Sequence, residues 1–167
     1  MQDRHYNPDH PLFVTADFGW HNNCGVWVQP SANADRVMVL FAHFQEFRTN
    51  EENAKILLRI HQERGYGVLT GGWGDPSKPE ALRAYSQVFG VEFKPSGGRV
   101  EEGQRIVREW LKAAAMTKGE SGLVFSRDCP RRLIVEWGSY KTHEPGVGAH
   151  HSVDAVRYFF MGWLGKV

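Results

Sequence analysis

Leu12-Phe13-Val14-Thr15-Ala16-Asp17 is a mostly apolar run that predicts a buried strand with a carboxylate at its end. Two more strands are predicted over residues 25–30 and 36–44, and a loop rich in proline, serine, asparagine and aspartate joins them. Loops of this kind between apolar runs favour antiparallel connections. The chain is therefore expected to build three consecutive strands as an antiparallel meander.

Helices and strands alternate in the rest of the chain. Helical spacing begins at Asn50, the expected cap, and stops near Gly65, after which residues 66–70 are expected to form a short strand that returns to the sheet. Further helices are predicted over residues 78–89, 99–117 and 130–137 and from about Ser152, with strands over 91–95 and 123–125. This order predicts an α/β protein with a mixed central β-sheet flanked by helices.

Length and composition exclude several classes of protein. A chain of 167 residues with 41% hydrophobic residues fits a single domain, 1–167. With 20 basic and 19 acidic residues, any surface for nucleic acid must be a local patch. Cys24 and Cys129 lack a CxxC partner, which argues against a cysteine zinc site and indicates a reducing compartment. No apolar run is long enough to predict a membrane span.

Three aspartates occupy positions that a mixed sheet can bring to one edge. Asp17 ends the first strand, Asp75 follows the glycine-rich run 71–74, and Asp154 lies in the first turn of the last helix. Taken singly, each has an ordinary structural explanation as a turn former or as a charge that complements a helix dipole. Taken together, they offer the oxygen ligands that Mg²⁺ prefers, and two ions roughly 3.5–4 Å apart can hydrolyse a phosphodiester.

Four segments resemble a known family, the nuclease domain of the phage terminase large subunit, which is the DNA-packaging enzyme of tailed viruses. Asp17-Phe18-Gly19 resembles the acidic motif of the first strand, and Gly74-Asp75-Pro76-Ser77 resembles the second metal-ligand loop. Residues 129–140 resemble the helix and terminal tyrosine that precede the final motif. Residues 151–158, His-Ser-Val-Asp-Ala-Val-Arg-Tyr, match the closing pattern HxxDAxRY, which is the most specific of the four.

The resemblance implies a ribonuclease H-like fold in which Asp17, Asp75 and Asp154 are catalytic residues that hold two Mg²⁺ or Mn²⁺ ions. Many members carry a further acidic residue just before the final motif, where this chain has residues 148–151, Gly-Ala-His-His. A fourth ligand is therefore left open. His151 is a candidate for a residue that supports the ligands from behind or carries a proton, with capping or packing as the alternative.

The resemblance also implies a metal-dependent endonuclease that cleaves concatemeric viral DNA during packaging in the host cell cytoplasm. This sequence contains no GxxxxGK[ST] phosphate loop, so it resembles the nuclease domain without the ATPase motor. The implied partners are double-stranded DNA, the N-terminal ATPase motor, the small terminase subunit and the portal, and no membrane. Without a module that reads bases, little sequence specificity is expected.

Several basic residues are candidates for contacts with DNA phosphates. Lys94, Arg99 and Lys141 are favoured because they lie in predicted loops near glycines. Trp73, next to the Asp75 loop, is expected to pack in the core rather than to touch a nucleotide.

Two other interpretations stay open from the sequence. One keeps the fold but changes the substrate, to that of a Holliday-junction resolvase or a ribonuclease H-type nuclease. The other is a non-catalytic DNA-docking module of a packaging machine, in which the aspartates act only as caps and turn formers.

Overall fold

A six-stranded mixed β-sheet is the centre of the computed structural model, which describes residues 5–138 and 150–165. The strands are β1 (Phe13–Asp17), β2 (Asn23–Pro30), β3 (Arg36–Gln45), β4 (Gly71–Gly74), β5 (Phe93–Pro95) and β6 (Gly122–Phe125). Their order across the sheet is β5-β4-β1-β2-β3-β6. The first three strands pair antiparallel, whereas β4, β5 and β6 each run parallel to their neighbours.

Helices cover both faces of this sheet. They are α1 (Asn50–Glu63), α2 (Pro79–Phe89), α3 (Val100–Thr117), α4 (Arg131–Gly138) and α5 (His151–Trp163). Every residue of β2 is buried, and its side chains alternate between two apolar clusters. Trp27 packs in the cluster with α1 and α2, while Val26 and Val28 pack in the cluster with α3, α4 and α5. The fold therefore has three layers, with β2 near the middle of the sheet.

The observed elements confirm the predicted class and most of the predicted elements. The antiparallel meander, the mixed sheet and the helices α2 to α5 are present, with bounds that differ by one or two residues from those predicted. Strand β5 is shorter than the predicted run over residues 91–95. Among the described residues, no helix combines the length and the apolar character that a membrane span requires.

The prediction of a strand over residues 66–70 is wrong, because the strand that joins the sheet is the glycine run that follows. A Cβ atom on Gly72 would overlap the ring of Phe93, and one on Gly74 would overlap the ring of Phe18. Glycine in a strand commonly marks such a close approach. Val68 is instead 91% exposed. The apolar residues between 66 and 70 suggested a strand there. The strand is β4 instead, where aromatic rings from neighbouring segments pack against glycines.

The predicted cap of α1 is also off by one residue. The Thr49 hydroxyl accepts a hydrogen bond from the backbone N–H of Glu52, and the Glu52 carboxylate accepts one from the backbone N–H of Thr49. This reciprocal pair is a capping box, whose Thr-x-x-Glu pattern is present in the sequence. It fixes the point at which the chain leaves β3 and enters α1.

A buried histidine joins α1 to the sheet. The indole N–H of Trp27 donates to His61 Nδ1 at 3.1 Å, and His61 Nε2 lies 2.7 Å from the carbonyl oxygen of Gly67. An indole only donates and a carbonyl only accepts, so the imidazole is neutral with its proton on Nε2. Burial lowers the pKa of His61 below its ordinary value, although the bond to Gly67 opposes this.

Acid should therefore destabilise the fold through His61. Because its folded-state pKa lies below that of the unfolded chain, its contribution to stability is complete above the unfolded value of about 6.5 and is lost as the pH falls through the folded value. Thermal unfolding at a series of pH values, compared between the wild type and His61→Gln, measures this. We expect the wild type to lose more stability on acidification than the variant, and parallel pH profiles would contradict the assignment.

Candidate active site

Strand pairing brings Asp17 and Asp75 together. β1 and β4 are adjacent and parallel, with Ala16 opposite Gly74, and each aspartate is the next residue along the chain. Carboxyl ends of neighbouring parallel strands lie at the same edge of a sheet, so the two carboxylates share that edge. The backbone register thus accounts for this half of the predicted constellation.

Helix α5 carries the other two predicted site residues, His151 and Asp154. It packs across β1, β2 and β4, and its first residue, His151, places Nδ1 at 2.6 Å from Oδ2 of Asp17. Asp154 lies one turn further along α5. The negative charges of Asp154 and Asp75 both act on the carboxylate of Asp17. The structure thus brings Asp17 next to His151 and to the strand that leads into Asp75, with Asp154 in the helix that packs across both strands.

A fifth residue, Glu136 of α4, holds the start of α5. Its carboxylate is buried and accepts hydrogen bonds from the backbone N–H of Ser152 at 3.0 Å and from the Ser152 hydroxyl at 2.5 Å. His150, at the N-cap position, makes no side-chain cap hydrogen bond. A carboxylate from a different helix thus satisfies the end of α5.

The carboxylate of Asp17 is held in an unfavourable environment. Burial raises the pKa of Asp17 above its ordinary value, the negative charges of Asp154 and Asp75 raise it further, and the hydrogen bond from His151 opposes them. The same bond raises the pKa of His151, because Asp17 stabilises the protonated imidazole. An acidic group crowded by other acids and only partly compensated by one histidine has the electrostatics expected around a cation site.

Each aspartate also has a protein partner. Besides the Asp17–His151 bond, Oδ1 of Asp75 accepts from the backbone N–H and the hydroxyl of Ser77, both at 2.8 Å, and Oδ1 of Asp154 lies 3.6 Å from Nε of Arg157. Within residues 5–138 and 150–165, no group of three or more histidine, cysteine, aspartate or glutamate side chains is arranged so that it could hold a metal ion. The chemistry of the donor set nevertheless fits a hard divalent cation, since oxygen ligands from carboxylates are what Mg²⁺ binds.

Tyr158 shares this environment. Its side chain is buried, and burial together with the charges of Asp17 and Asp75 raises the pKa of its phenol. Its backbone carbonyl accepts a hydrogen bond from Ser96 Oγ at 2.5 Å, which ties the loop between β5 and α3 to α5. The phenol of Tyr158 therefore stays protonated and neutral.

Two of the predicted phosphate-binding residues are exposed. Lys94 is exposed on the edge strand β5 opposite Trp73, and Arg99 is exposed at the N-cap of α3. Lys141 lies outside the described residues. Trp73 packs against Phe13 and Phe159 with ring centroids 4.9 and 5.8 Å away, as expected of a packing residue.

Sequence reasoning missed Glu136. It lies three residues after the buried Leu133 on the inward face of α4, where helical spacing calls for an apolar residue. A carboxylate at such a position must find hydrogen-bond donors. That conflict between residue type and spacing was the available signal.

No protein-family model matches the sequence, and no curated protein resembles it in sequence. Solved structures do resemble it. The large terminase of a thermophilic bacteriophage superposes with a TM-score of 0.72 at 16% identity, over 95% of this chain and 40% of that one. The nuclease domain of the P22 large terminase gives 0.68 at 13% identity, over 98% and 87% of the two chains.

This chain has the ribonuclease H-like fold of large-terminase nuclease domains. The nuclease domain of the bacteriophage SPP1 large terminase, a structure with bound manganese, has the same fold, with a TM-score of 0.58 at 14% identity over 90% of this chain and 85% of that one. The chain spans only 40% of the length of the terminase from the thermophilic phage, so it corresponds to one part of that larger protein. The fold implied by the four sequence motifs is confirmed.

Removing the carboxylate of Glu136 should loosen the start of α5. Glu136→Ala leaves the start of α5 without its acceptor, at a cost of about 1–3 kcal/mol in the free energy of unfolding. Glu136→Gln is the matched control, because its amide oxygen can still accept from Ser152. Urea denaturation of both variants measures the difference. A fully stable Glu136→Ala protein would show that the bonds to Ser152 do not hold α5.

Proposed function

We propose that this protein is a metal-dependent DNA endonuclease that cleaves concatemeric viral DNA during genome packaging. The observation that carries the proposal is that Asp17 and Asp75 follow two adjacent parallel strands, and Asp154 lies in the helix that packs across them, in the fold of terminase nuclease domains. The occurrence of bound manganese in the SPP1 relative supports the choice of cofactor. The activity belongs to hydrolases that act on phosphodiester bonds.

Asp17, Asp75 and Asp154 would hold two Mg²⁺ or Mn²⁺ ions, which would supply activation of the attacking water and stabilisation of the leaving oxygen. The fit rests on the crowding of the three acids. Positive charge at this edge would relieve the repulsion that raises the pKa of Asp17.

The protein's own residues position this chemistry. His151 donates from Nδ1 to Asp17 and so fixes the orientation of this carboxylate at the end of β1. Ser77 orients Asp75 in the same way, and Glu136 holds the first turn of α5, which carries Asp154. Lys94 and Arg99, which are both exposed, would neutralise phosphates of the bound DNA.

The proposed substrate is double-stranded DNA, cut with little sequence preference. Contacts from lysine and arginine to phosphates position a duplex but do not read its bases. Selection of the cut site would come from partners, namely the N-terminal ATPase motor, the small terminase subunit and the portal, in the cytoplasm of the host cell.

Neutralising any one of the three aspartates should abolish cleavage without unfolding the protein. Asp17→Asn, Asp75→Asn and Asp154→Asn are each expected to lower the rate of Mn²⁺-dependent plasmid cleavage more than about 100-fold, because loss of a metal ligand exceeds the effect of losing a supporting residue. Circular dichroism should show the native fold in each case.

The exposed Asp9 in the N-terminal segment provides the matched control, since Asp9→Asn removes the same charge outside the proposed site. Wild-type and Asp9→Asn proteins should cut equally, and chelation with EDTA should stop both.

Duplex DNA, a four-way junction and an RNA–DNA hybrid are compared as substrates. Cleavage of only the junction would indicate a resolvase, and cleavage of only the hybrid would indicate a ribonuclease H. Either result would contradict the proposed packaging nuclease.

Removing the His151 side chain should weaken cleavage without eliminating it. His151→Ala deprives Asp17 of the imidazole that donates to its carboxylate, and loss of a supporting residue of this kind typically costs about 10–100-fold in activity or metal affinity. Cleavage rates and Mn²⁺ titration by calorimetry measure both effects. His10→Ala, in the N-terminal segment, serves as control, and unchanged metal binding and activity in His151→Ala would contradict the role.

A further inference from the structure

A cavity of about 530 Å³ lies beside the candidate active site. The two segments that leave the aspartates form much of its wall, because Phe18, Gly19 and Trp20 follow Asp17, and Ser77 and Lys78 follow Asp75. Residues 48–50, at the start of α1, and the first residues of α2 complete the lining. A ligand in this cavity would therefore contact the same loops that carry two of the three proposed metal ligands.

Two exposed aromatic rings adjoin this cavity. Trp20 lines it and is 55% exposed, and Phe47, which precedes the lining residue Arg48, is 51% exposed. In residues 5–138 and 150–165 they are the only phenylalanine, tyrosine or tryptophan side chains in the exposed class. Their centroids are 6.1 Å apart with the ring planes at 66°. Large aromatic side chains normally contribute to burial, so an exposed pair next to a catalytic edge marks a binding surface.

The backbone holds Phe47 in place at a conformational cost. Phe47 has a φ of 54°, in the left-handed region that bulky residues rarely adopt. Its N–H donates to the carbonyl of Trp20 at 2.7 Å, which ties the loop after β1 to the end of β3. The ring gains little burial in return. Strain that is kept at an exposed position points to a functional constraint.

The side chains that line the cavity include two cations that could contact phosphates. Arg48 and Lys78 line it, and Glu80 is the one acidic residue among the lining residues, so their formal sum is +1. A combination of aromatic faces and cations is how proteins bind single strands of nucleic acid, with bases stacked on the rings and phosphates near the basic side chains.

We propose that Trp20 and Phe47 form a stacking platform for an unpaired base of the DNA strand beside the cut site, with Arg48 and Lys78 at its phosphates. This rests on the proposed function, which makes DNA the ligand of the neighbouring aspartates. In intact duplex both faces of each base are covered by its neighbours, so only a base that has left the stack can use the platform. The enzyme would thus favour DNA that is locally opened next to the cleaved bond.

Binding without divalent cations tests this separately from cleavage. Fluorescence anisotropy in EDTA compares an intact duplex with a duplex of the same length that contains a short single-stranded gap. We expect the wild type to prefer the gapped DNA, and Trp20→Ala and Phe47→Gly each to lose about tenfold in affinity for it with little change on intact duplex. Glycine is chosen at position 47 because it accepts the left-handed backbone and relieves the strain.

Matched variants separate a stacking role from a structural one. Phe47→Tyr keeps an aromatic ring and should retain the preference, and Met116→Ala removes an exposed apolar side chain at the end of α3 and should change nothing. A 2-aminopurine base in the gap should lose fluorescence on binding to the wild type but not to Phe47→Gly.

The platform is refuted if the wild type binds both DNAs equally, or if Trp20→Ala and Phe47→Gly weaken the two complexes to the same extent. The same is true if both variants keep the preference. Plasmid cleavage by the wild type is scored independently, so a nuclease without the preference refutes only the platform. A protein that shows the preference but does not cut refutes only the nuclease.

Discussion

The parallel pairing of β1 with β4 is the constraint on which the rest of the molecule depends. It sets Ala16 opposite Gly74 and so delivers Asp17 and Asp75 to the same edge of the sheet. The pairing needs glycine in β4, because the rings of Phe93 and Phe18 occupy the space that side chains at positions 72 and 74 would fill. The short strand β4 thus determines both how Phe18 and Phe93 pack and where Asp75 lies relative to Asp17. A substitution that pushes β4 outward would disturb both at once.

Helix α5 completes the site through contacts that join distant parts of the chain. His151 reaches across to Asp17, 134 residues earlier, and Glu136 of α4 satisfies the start of the same helix at Ser152. The helix held in this way carries Asp154, whose negative charge acts with that of Asp75 on the partly buried carboxylate of Asp17, which is unfavourable in the absence of positive charge. In a nuclease that uses metal cations, the repulsion between these carboxylates would favour binding of a cation.

Local patterns in the sequence predicted much of this arrangement. Apolar runs bounded by turn residues indicated β1 to β3, helical spacing indicated α2, α3 and α5, and the closing motif around Asp154 indicated the family whose fold is observed. The glycine strand β4 escaped prediction, because its apolar surroundings come from Phe18 and Phe93 rather than from its own side chains. Local spacing marks Glu136 as a carboxylate at an apolar position, but its partner Ser152 lies in another helix and was not predictable from that spacing. The Trp20–Phe47 pair escaped prediction because it joins segments far apart in the chain.

The central claim, that Asp17, Asp75 and Asp154 form one cation site, is tested most directly by diffraction from crystals soaked in Mn²⁺. Manganese scatters anomalously, so an anomalous difference map locates the ions without reference to any activity. We predict peaks at the edge of the sheet within ligand distance, about 2.0–2.6 Å, of oxygens from all three aspartates. Peaks that avoid this edge, or an ion held by only one of the three carboxylates, would contradict the claim.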